Sequence, residues 1–246
     1  MLKNHTAMIT GSSGGIGSKT LEIFSKNNAN VIACSRKLDK NFDDHCRELE
    51  IKYKNKIFNY YFDVLDEKNF KKNLDKINLD HQNIDILVNA AGEVSNNLFQ
   101  MTTDDKFKQI FEVNYFSQIK LIQLVLKKMI KNKKGSIINI SSSSAFEFNV
   151  GRSAYSSSKS AIIALSNVLS REVGRYNIRV NTVSPGLTNT KMLKQSSKEE
   201  IINQKIKEIS LKRIAEPQEI AQTILFLASE QSSYITGEVI KVDGGL

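Results

Sequence analysis

Short apolar runs alternate with longer amphipathic segments along the whole chain. Seven such runs predict strands at residues 6–10, 30–35, 56–62, 85–90, 136–141, 178–184 and 238–243. The intervals predict helices, among them residues 15–27, 104–131, 154–176 and 217–229. Alternation of this kind is typical of βαβ units with right-handed crossovers. We therefore predict one α/β domain over residues 1–246, with a doubly wound parallel sheet of about seven strands and helices on both faces.

Composition narrows the class of protein. The 246 residues are 40% hydrophobic and 25% charged, which is ordinary for a globular chain. The sequence has no apolar leader and no apolar stretch of membrane-spanning length, and Cys34 and Cys46 lack metal-ligand or disulfide spacing. We expect a cytoplasmic protein with two free thiols, no metal site and no membrane partner.

The net charge of +9 raises the question of an acidic partner. The charge is most concentrated in "KKMIKNKKG", residues 127–135, at the end of a predicted helix. A docking surface would explain these lysines, but so would a solvated helix end, where cations complement the helix dipole. No nucleic-acid recognition motif accompanies the charge, so we predict no nucleic-acid partner.

A glycine-rich turn, "TGSSGGIG", follows the first predicted strand and leads into a helix. Glycines let the main chain approach a pyrophosphate, and the free N–H groups at a helix N-terminus attract it. The strand before the turn and the helix after it are the context that dinucleotide binding requires, and together they indicate a Rossmann-type sheet. The predicted contacts in this turn are Gly11, Ser13, Gly15, Ile16 and Gly17.

The end of the second strand favours NADP(H) over NAD(H) as the cofactor. An NAD site places a carboxylate about 20 residues beyond the glycines to hold the ribose 2′-hydroxyl. This chain has Ser35, Arg36 and Lys37 there, and a guanidinium binds the 2′-phosphate that a carboxylate would repel. We predict cofactor contacts from Ser35 and Arg36.

Two further strand ends are predicted to contact the same cofactor. Asp63 and Val64 follow the third strand, where the carboxylate can accept from an adenine amino group. Asn89, Ala90 and Gly92 follow the fourth strand, where small side chains let the cofactor lie against the main chain.

The segment "SAYSSSK" places Tyr155 four residues before Lys159, on one face of a predicted helix. A nearby ammonium stabilises a phenolate, so we expect Lys159 to lower the pKa of Tyr155 towards neutral pH, where proton transfer is most useful. The serines between the two residues leave room for a cofactor and a substrate.

Together with "NAAG", "FEVNYF", "NISSSS" and "NTVSPG", these motifs resemble the short-chain dehydrogenase/reductase family over residues 6–245. Within that family the chain looks most like the 3-oxoacyl-[acyl-carrier-protein] reductases. The resemblance implies that Tyr155 gives a proton to a substrate carbonyl oxygen and that Lys159 also binds the nicotinamide ribose. It implies that Ser142 hydrogen-bonds the substrate oxygen and that Asn114 holds water in a proton relay.

The resemblance also assigns the nicotinamide contacts and the assembly. The contacts fall on Pro185, Gly186, Thr188 and Thr190. The implied assembly is a homotetramer packed through the long helices near 104–131 and 154–176 and through the C-terminal strand.

Two departures from the family pattern bear on the substrate. Gly14 stands where carrier-protein reductases commonly carry a basic residue, which places the NADP preference more heavily on Arg36. Arg152 stands where they commonly carry glutamine, and it either binds an anionic group or points to solvent. Residues 188–216 are polar and longer than an ordinary connection, so we predict a small helical lid over the substrate.

The main functional hypothesis is NADPH-dependent reduction of 3-oxoacyl groups on acyl carrier protein in fatty acid synthesis. The lysines of 127–134, with Arg171 and Arg175, are the candidate surface for the acidic carrier. The nearest alternative is the same chemistry on a sugar, polyol or other small ketone. A non-catalytic NADP-binding sensor or scaffold is the alternative from another class, although a pure binder has no need of Tyr155.

Overall fold

The centre of the molecule is a seven-stranded sheet in which every strand pair is parallel. A computed structural model describes residues 1–246 and gives the strand order β3-β2-β1-β4-β5-β6-β7. The strands are β1 Thr6–Thr10, β2 Asn30–Ser35, β3 Ile57–Tyr61, β4 Ile86–Asn89, β5 Gly135–Ile140, β6 Ile178–Pro185 and β7 Val239–Val242. The predicted doubly wound parallel sheet and its seven strands are confirmed. The strand order reverses between β1 and β4, which is where ligands bind in such sheets.

Helices pack on both faces of the sheet. They are α1 Gly15–Lys26, α2 Lys40–Tyr53, α3 Glu67–Asp80, α4 Asp104–Phe111, α5 Ser117–Asn132, α6 Ser144–Glu147, α7 Ser153–Val173, α8 Lys191–Ser196, α9 Glu199–Glu208 and α10 Pro217–Ala228. One apolar core contains side chains of α1, α2 and α10, and the other contains side chains of α3, α5 and α7. Pro217 stands at the first position of α10, as the sequence predicts.

The central strands are buried on both sides because their side chains alternate between the two cores. In β1, Ala7 and Ile9 enter the first core and Met8 enters the second, and all three are fully buried. A strand of this kind has a continuous apolar sequence, which explains why the runs in the sequence predict the strands well.

The predicted helix over 104–131 is interrupted. Between α4 and α5 the chain forms a π-helical turn, Glu112–Phe116, with Asn114 at its centre. Asn114 is fully buried there. Its Oδ1 accepts from Glu93 N at 2.8 Å, and its Nδ2 donates to Glu93 O at 2.9 Å. Such π turns are rare in helices and occur often at functional sites. The predicted helix over 154–176 ends earlier, at Val173, and continues as one 3-10 turn.

A row of polar side chains crosses the sheet near the carboxyl ends of its central strands. Thr10, Asn89, Asn139 and Thr182 are aligned neighbours on β1, β4, β5 and β6, and all are buried. Within this polar row, Asn89 Nδ2 donates to Asn139 Oδ1 at 2.8 Å, and Asn139 Nδ2 donates to Ser166 Oγ of α7 at 2.8 Å. The row therefore ties β4 and β5 to the helix that carries Tyr155.

Residues 188–216 contain two short helices, α8 and α9, as expected for a helical segment in this position. Thr190 caps α8 by accepting from Leu193 N at 3.2 Å. None of the helices in the molecule combines the length and the apolar character needed to cross a membrane.

Candidate active site

A cavity of about 770 Å³ lies beyond the carboxyl ends of β4, β5 and β6. Many of the residues predicted from the sequence meet in its wall. They are Ile16, Ala90, Gly92, Ser142, Tyr155, Lys159, Pro185, Gly186, Thr188 and Thr190. The remaining predicted residues lie outside this wall, in the glycine turn, at the ends of β2 and β3, or behind the cleft.

The glycine turn brings the main chain close to itself and to the start of α1. Gly11 has φ +66°, and a Cβ added to it would lie 2.9 Å from Ala91 N. A Cβ on Gly17 would lie 2.2 Å from Gly11 O. No side chain caps the N-terminus of α1. The first N–H groups of α1 are thus free to bind an anion, as the sequence predicts.

The ends of β2 and β3 extend this turn into a site that fits a dinucleotide. Ser13 Oγ and Ser35 Oγ are 2.7 Å apart, which joins the glycine turn to the end of β2. Arg36 is exposed beside them and forms none of the ion pairs of the structure. Asp63 Oδ1 accepts from Leu65 N at 3.0 Å, and Val64 packs partly buried against the core that contains α3. The main-chain cradle and the uncapped helix N-terminus suit a pyrophosphate, and the end of β2 lies where dinucleotide sites hold the adenosine ribose.

Substitution of Gly17 by alanine is expected to weaken dinucleotide binding by roughly 5- to 150-fold, because the added methyl group would meet the Gly11 carbonyl and overpacking of this kind costs about 1–3 kcal/mol. Calorimetric titration with NADPH measures the effect. Gly174→Ala is the matched control, since a Cβ there meets nothing within 4 Å. Equal affinities for the two variants would contradict the role of the turn.

The side chain of Asn89 does not line the cavity, and its cofactor contact stays a prediction. Its side chain is fully buried in the polar row and donates to Asn139, so it faces the sheet and not the cavity. Only the main chain of Asn89 is left for a cofactor contact, whereas its neighbours Ala90 and Gly92 line the cavity.

Tyr155 lies in the first turn of α7, with 9% of its surface exposed. Burial raises the pKa of its phenol, and the Ser142 hydroxyl and the Arg152 guanidinium oppose this rise without overcoming it. The expectation that Lys159 lowers the pKa of Tyr155 is wrong for this structure, because loss of hydration is the larger effect. Tyr155 is therefore a neutral phenol at neutral pH, which is the form that can give a proton.

Lys159 is almost fully buried one turn further along α7. Its Nζ donates to the carbonyl oxygen of Ile140 at 2.8 Å and lies 5.9 Å from the centre of the Tyr155 ring. Burial lowers the pKa of the Lys159 ammonium to about 8. An ammonium with this pKa can release and regain a proton near neutral pH.

Asn114 and Lys159 approach each other across Gly92. A Cβ on Gly92 would lie 3.3 Å from Asn114 Oδ1 and 3.4 Å from Lys159 Nζ. Asn114 Nδ2 also donates to Ser158 Oγ at 3.0 Å, so the amide is held from both sides. The π turn thus places Asn114 next to the ammonium, while its water-holding role stays a prediction.

The far side of the cavity is closed by α8 and α9. Met192, Leu193, Ile201 and Ile202 supply apolar wall there. Lys205 of α9 reaches Glu147 of α6 with Nζ 3.4 Å from Oε2, which joins the two sides of the cavity. Neither Glu147 nor Lys205 belongs to a sequence motif, and only the fold brings them together.

The nucleotide turn and the lid segment also touch. A Cβ on Gly15 would lie 2.5 Å from Thr190 Cγ2. Thr190 therefore serves two purposes, because its hydroxyl caps α8 and its methyl group rests against the glycine turn.

Comparisons with known proteins agree with this geometry. A family model described as "Enoyl-(Acyl carrier protein) reductase" matches residues 11–246. The 3-oxoacyl-[acyl-carrier-protein] reductase FabG of Thermotoga maritima is 35% identical over 100% of this chain and 98% of its own length. The crystal structure of 3-oxoacyl-[acyl-carrier protein] reductase from Brucella melitensis superposes with a TM-score of 0.92 at 27% identity, over 100% of this chain and 92% of that one. YwfH, an NADPH-dependent reductase involved in bacilysin biosynthesis, superposes with a TM-score of 0.91 at 26% identity, over 98% and 97% of the two chains.

The fold, the cleft and these matches define the class of protein. The chain belongs to the short-chain dehydrogenase/reductase family, whose members bind a nicotinamide cofactor. It is an oxidoreductase that acts on the CH–OH/C=O pair, and its full-length relatives include reductases of 3-oxoacyl groups on acyl carrier protein.

Proposed function

We propose that this protein catalyses NADPH-dependent reduction of a 3-oxoacyl thioester to the 3-hydroxyacyl thioester, with acyl carrier protein as the carrier and fatty acid synthesis as the pathway. The observation that carries the proposal is the buried, neutral phenol of Tyr155 beside the Ser142 hydroxyl, in a cavity with apolar walls. The names of the full-length relatives support the acyl substrate.

The chain's own residues divide the chemistry among them. Bound nicotinamide supplies a hydride for the carbonyl carbon. Ser142 donates a hydrogen bond to the carbonyl oxygen, where negative charge grows during the reaction. Tyr155 gives its proton to that oxygen, and Lys159, whose pKa is about 8, returns a proton to Tyr155. Asn114 holds the water through which Lys159 is reprotonated.

Arg36 is proposed to select NADPH over NADH. Replacement of Arg36 by glutamate should raise the KM for NADPH about 10- to 100-fold, because a charge-assisted hydrogen bond is lost and a repulsive carboxylate is added. The KM for NADH should change far less. Arg47→Glu makes the same change of charge on the exposed side of α2 and controls for long-range attraction. Equal shifts for both cofactors would remove Arg36 from the 2′-phosphate site.

The reacting bond is proposed to be the carbonyl and not a carbon–carbon double bond, although the family model's description names an enoyl reductase. Tyr155 and Ser142 present two hydroxyl groups to one point in the cleft, which suits an oxygen that gains charge and then a proton. NADPH oxidation by the purified protein should therefore be fast with acetoacetyl-carrier protein and absent with crotonyl-carrier protein. Activity on a ketose panel alone would keep the catalytic residues and change the substrate.

The carrier and the assembly are proposed from the positions of the surface lysines and the long helices. The lysines of residues 127–134 lie at the end of α5, where Lys128 donates to Asn78 O and Lys134 pairs with Glu230. The other lysines of this cluster are exposed without an ion pair and are available to an acidic carrier. A homotetramer in the cytoplasm, packed through α4, α5 and α7, is the proposed state, with residues 188–216 as the substrate lid.

A further inference from the structure

The guanidinium of Arg152 lies in the cavity wall and forms no ion pair or hydrogen bond within the chain. Arg152 precedes the first residue of α7, lines the cavity and is half-buried. Its guanidinium carbon lies 5.6 Å from the centre of the Tyr155 ring, close enough to stack over the ring. No carboxylate forms an ion pair with it, and no hydrogen bond offsets its loss of hydration.

Glu147 is the acidic side chain that attracts Arg152, but its carboxylate already binds other groups. Glu147 accepts from Asn149 Nδ2 at 3.0 Å and pairs with Lys205 Nζ at 3.4 Å. Its carboxylate therefore balances the lid lysine, and the cleft around Arg152 keeps a net positive charge.

Burial lowers the pKa of the Arg152 guanidinium, because the half-buried position removes part of the water that stabilises its charged form. The guanidinium lies near the Tyr155 ring, and its N–H donors form no hydrogen bond or ion pair within the chain. The planar guanidinium can donate two parallel hydrogen bonds to the two oxygens of a carboxylate. Because its donors are half-buried and have no acceptors within the chain, such a ligand would stabilise them.

We propose that Arg152 binds the C1 carboxylate of a free 3-oxo acid while the C3 carbonyl lies at Ser142 and Tyr155. The inference rests on the proposed carbonyl reduction and adds a second substrate class to it, because a thioester offers Arg152 only one neutral C1 oxygen. The short separation between Arg152 and Tyr155 suits a carboxylate and a carbonyl that are separated by one methylene carbon in a small molecule. The apolar side chains of Val94, Leu98 and Ile202 then face the rest of the acid.

The added reaction balances with the reductant of the proposed function. The hydride of NADPH forms the new C3–H bond, the C3–oxygen π bond breaks, and the oxygen takes the proton of Tyr155. Solvent restores that proton through Lys159. A 3-oxo acid, NADPH and one proton thus give a 3-hydroxy acid and NADP⁺, with the carboxylate unchanged.

A matched pair of substrates tests the inference. Acetoacetate and methyl acetoacetate carry the same ketone, but only the first carries a C1 carboxylate. The wild-type protein should show a higher kcat/KM for the acid, and Arg152→Gln should lower the acid-to-ester ratio of kcat/KM by at least about tenfold, mainly through KM. Lys198→Gln removes an exposed cation from the rim of the same cavity and should change the ratio by less than about threefold.

A binding measurement keeps the test independent of turnover. Calorimetric titration of the NADP⁺ complex with 3-hydroxybutyrate should give a Kd for the wild type that rises at least about tenfold in Arg152→Gln. An unchanged Kd and an unchanged acid-to-ester ratio overturn the inference. Reduction of an acetoacetyl thioester without reduction of acetoacetate also overturns it and leaves the proposed function intact. Failure of every carbonyl substrate overturns the proposed function, and the calorimetric comparison then decides the role of Arg152.

Discussion

Replacement of Tyr155 by phenylalanine is expected to lower kcat for carbonyl reduction about 10²- to 10⁴-fold. The substitution removes only the hydroxyl group, and the ring stays packed in the first turn of α7. Because Tyr155 is neutral at neutral pH, the lost group is a proton donor and not a charge that holds the fold. Steady-state NADPH oxidation measures the fall, and calorimetry should show that NADPH still binds.

Tyr176→Phe is the matched control for this experiment. Tyr176 follows α7, lies against the Arg175 guanidinium and does not line the cavity. Its substitution should leave kcat within about twofold of wild type, as is usual for changes away from the reacting groups. A fall of less than about tenfold for Tyr155→Phe would show that another group protonates the substrate, and it would return the non-catalytic alternative to consideration.

Substitution of Lys159 by methionine should separate activity from stability. We expect kcat to fall at least about 100-fold, since the group that returns a proton to Tyr155 is gone. The effect on unfolding should depend on pH, because burial lowers the pKa of Lys159 from 10.5 to about 8. Between these two values the unfolded chain binds more protons than the folded one, so the wild type gains stability as pH rises.

The variant lacks this gain, and the difference can be measured in the cofactor-free protein. At about 1.4 kcal/mol per pKa unit, the free energy of unfolding of the wild type should rise by about 2 kcal/mol relative to Lys159→Met between roughly pH 7.5 and pH 9.5. Urea titrations at the two pH values give the numbers. Lys72→Met, which removes an exposed lysine of α3, controls for the loss of a charge. A difference that does not change with pH would mean that Lys159 is not held dehydrated.

The strands and the glycine turn could be predicted because their causes are local in the sequence. A strand buried on both faces is a short apolar run, and β1 and β2 have the bounds that their runs predict. The turn after β1 needs glycines for close main-chain approach, as the contact of Gly17 with Gly11 O shows. Tyr155 and Lys159 were recognisable because both lie on one turn of a single helix.

The electrostatic behaviour of the same residues could not be predicted from spacing. The pKa of Tyr155 depends on how far the fold buries the phenol, and the ammonium of Lys159 turns to the Ile140 carbonyl instead of the phenol. The π turn at Asn114 likewise has a distant cause, since its amide bonds the main chain of Glu93. Arg152 was visible as a departure from a family pattern, but only the fold shows that Glu147 is taken by Lys205.

The polar row beneath the cavity also limits how the chain can misfold. Asn89 Nδ2 reaches Asn139 Oδ1 only when β4 and β5 pair in the native register. A slip of one residue would turn the amide of the slipped strand to the opposite face of the sheet and break this bond, at about 1–3 kcal/mol for each group left unpaired. The bond between the amides thus favours the native register during sheet assembly. That register also aligns the carboxyl ends of the central strands, on which the cavity depends.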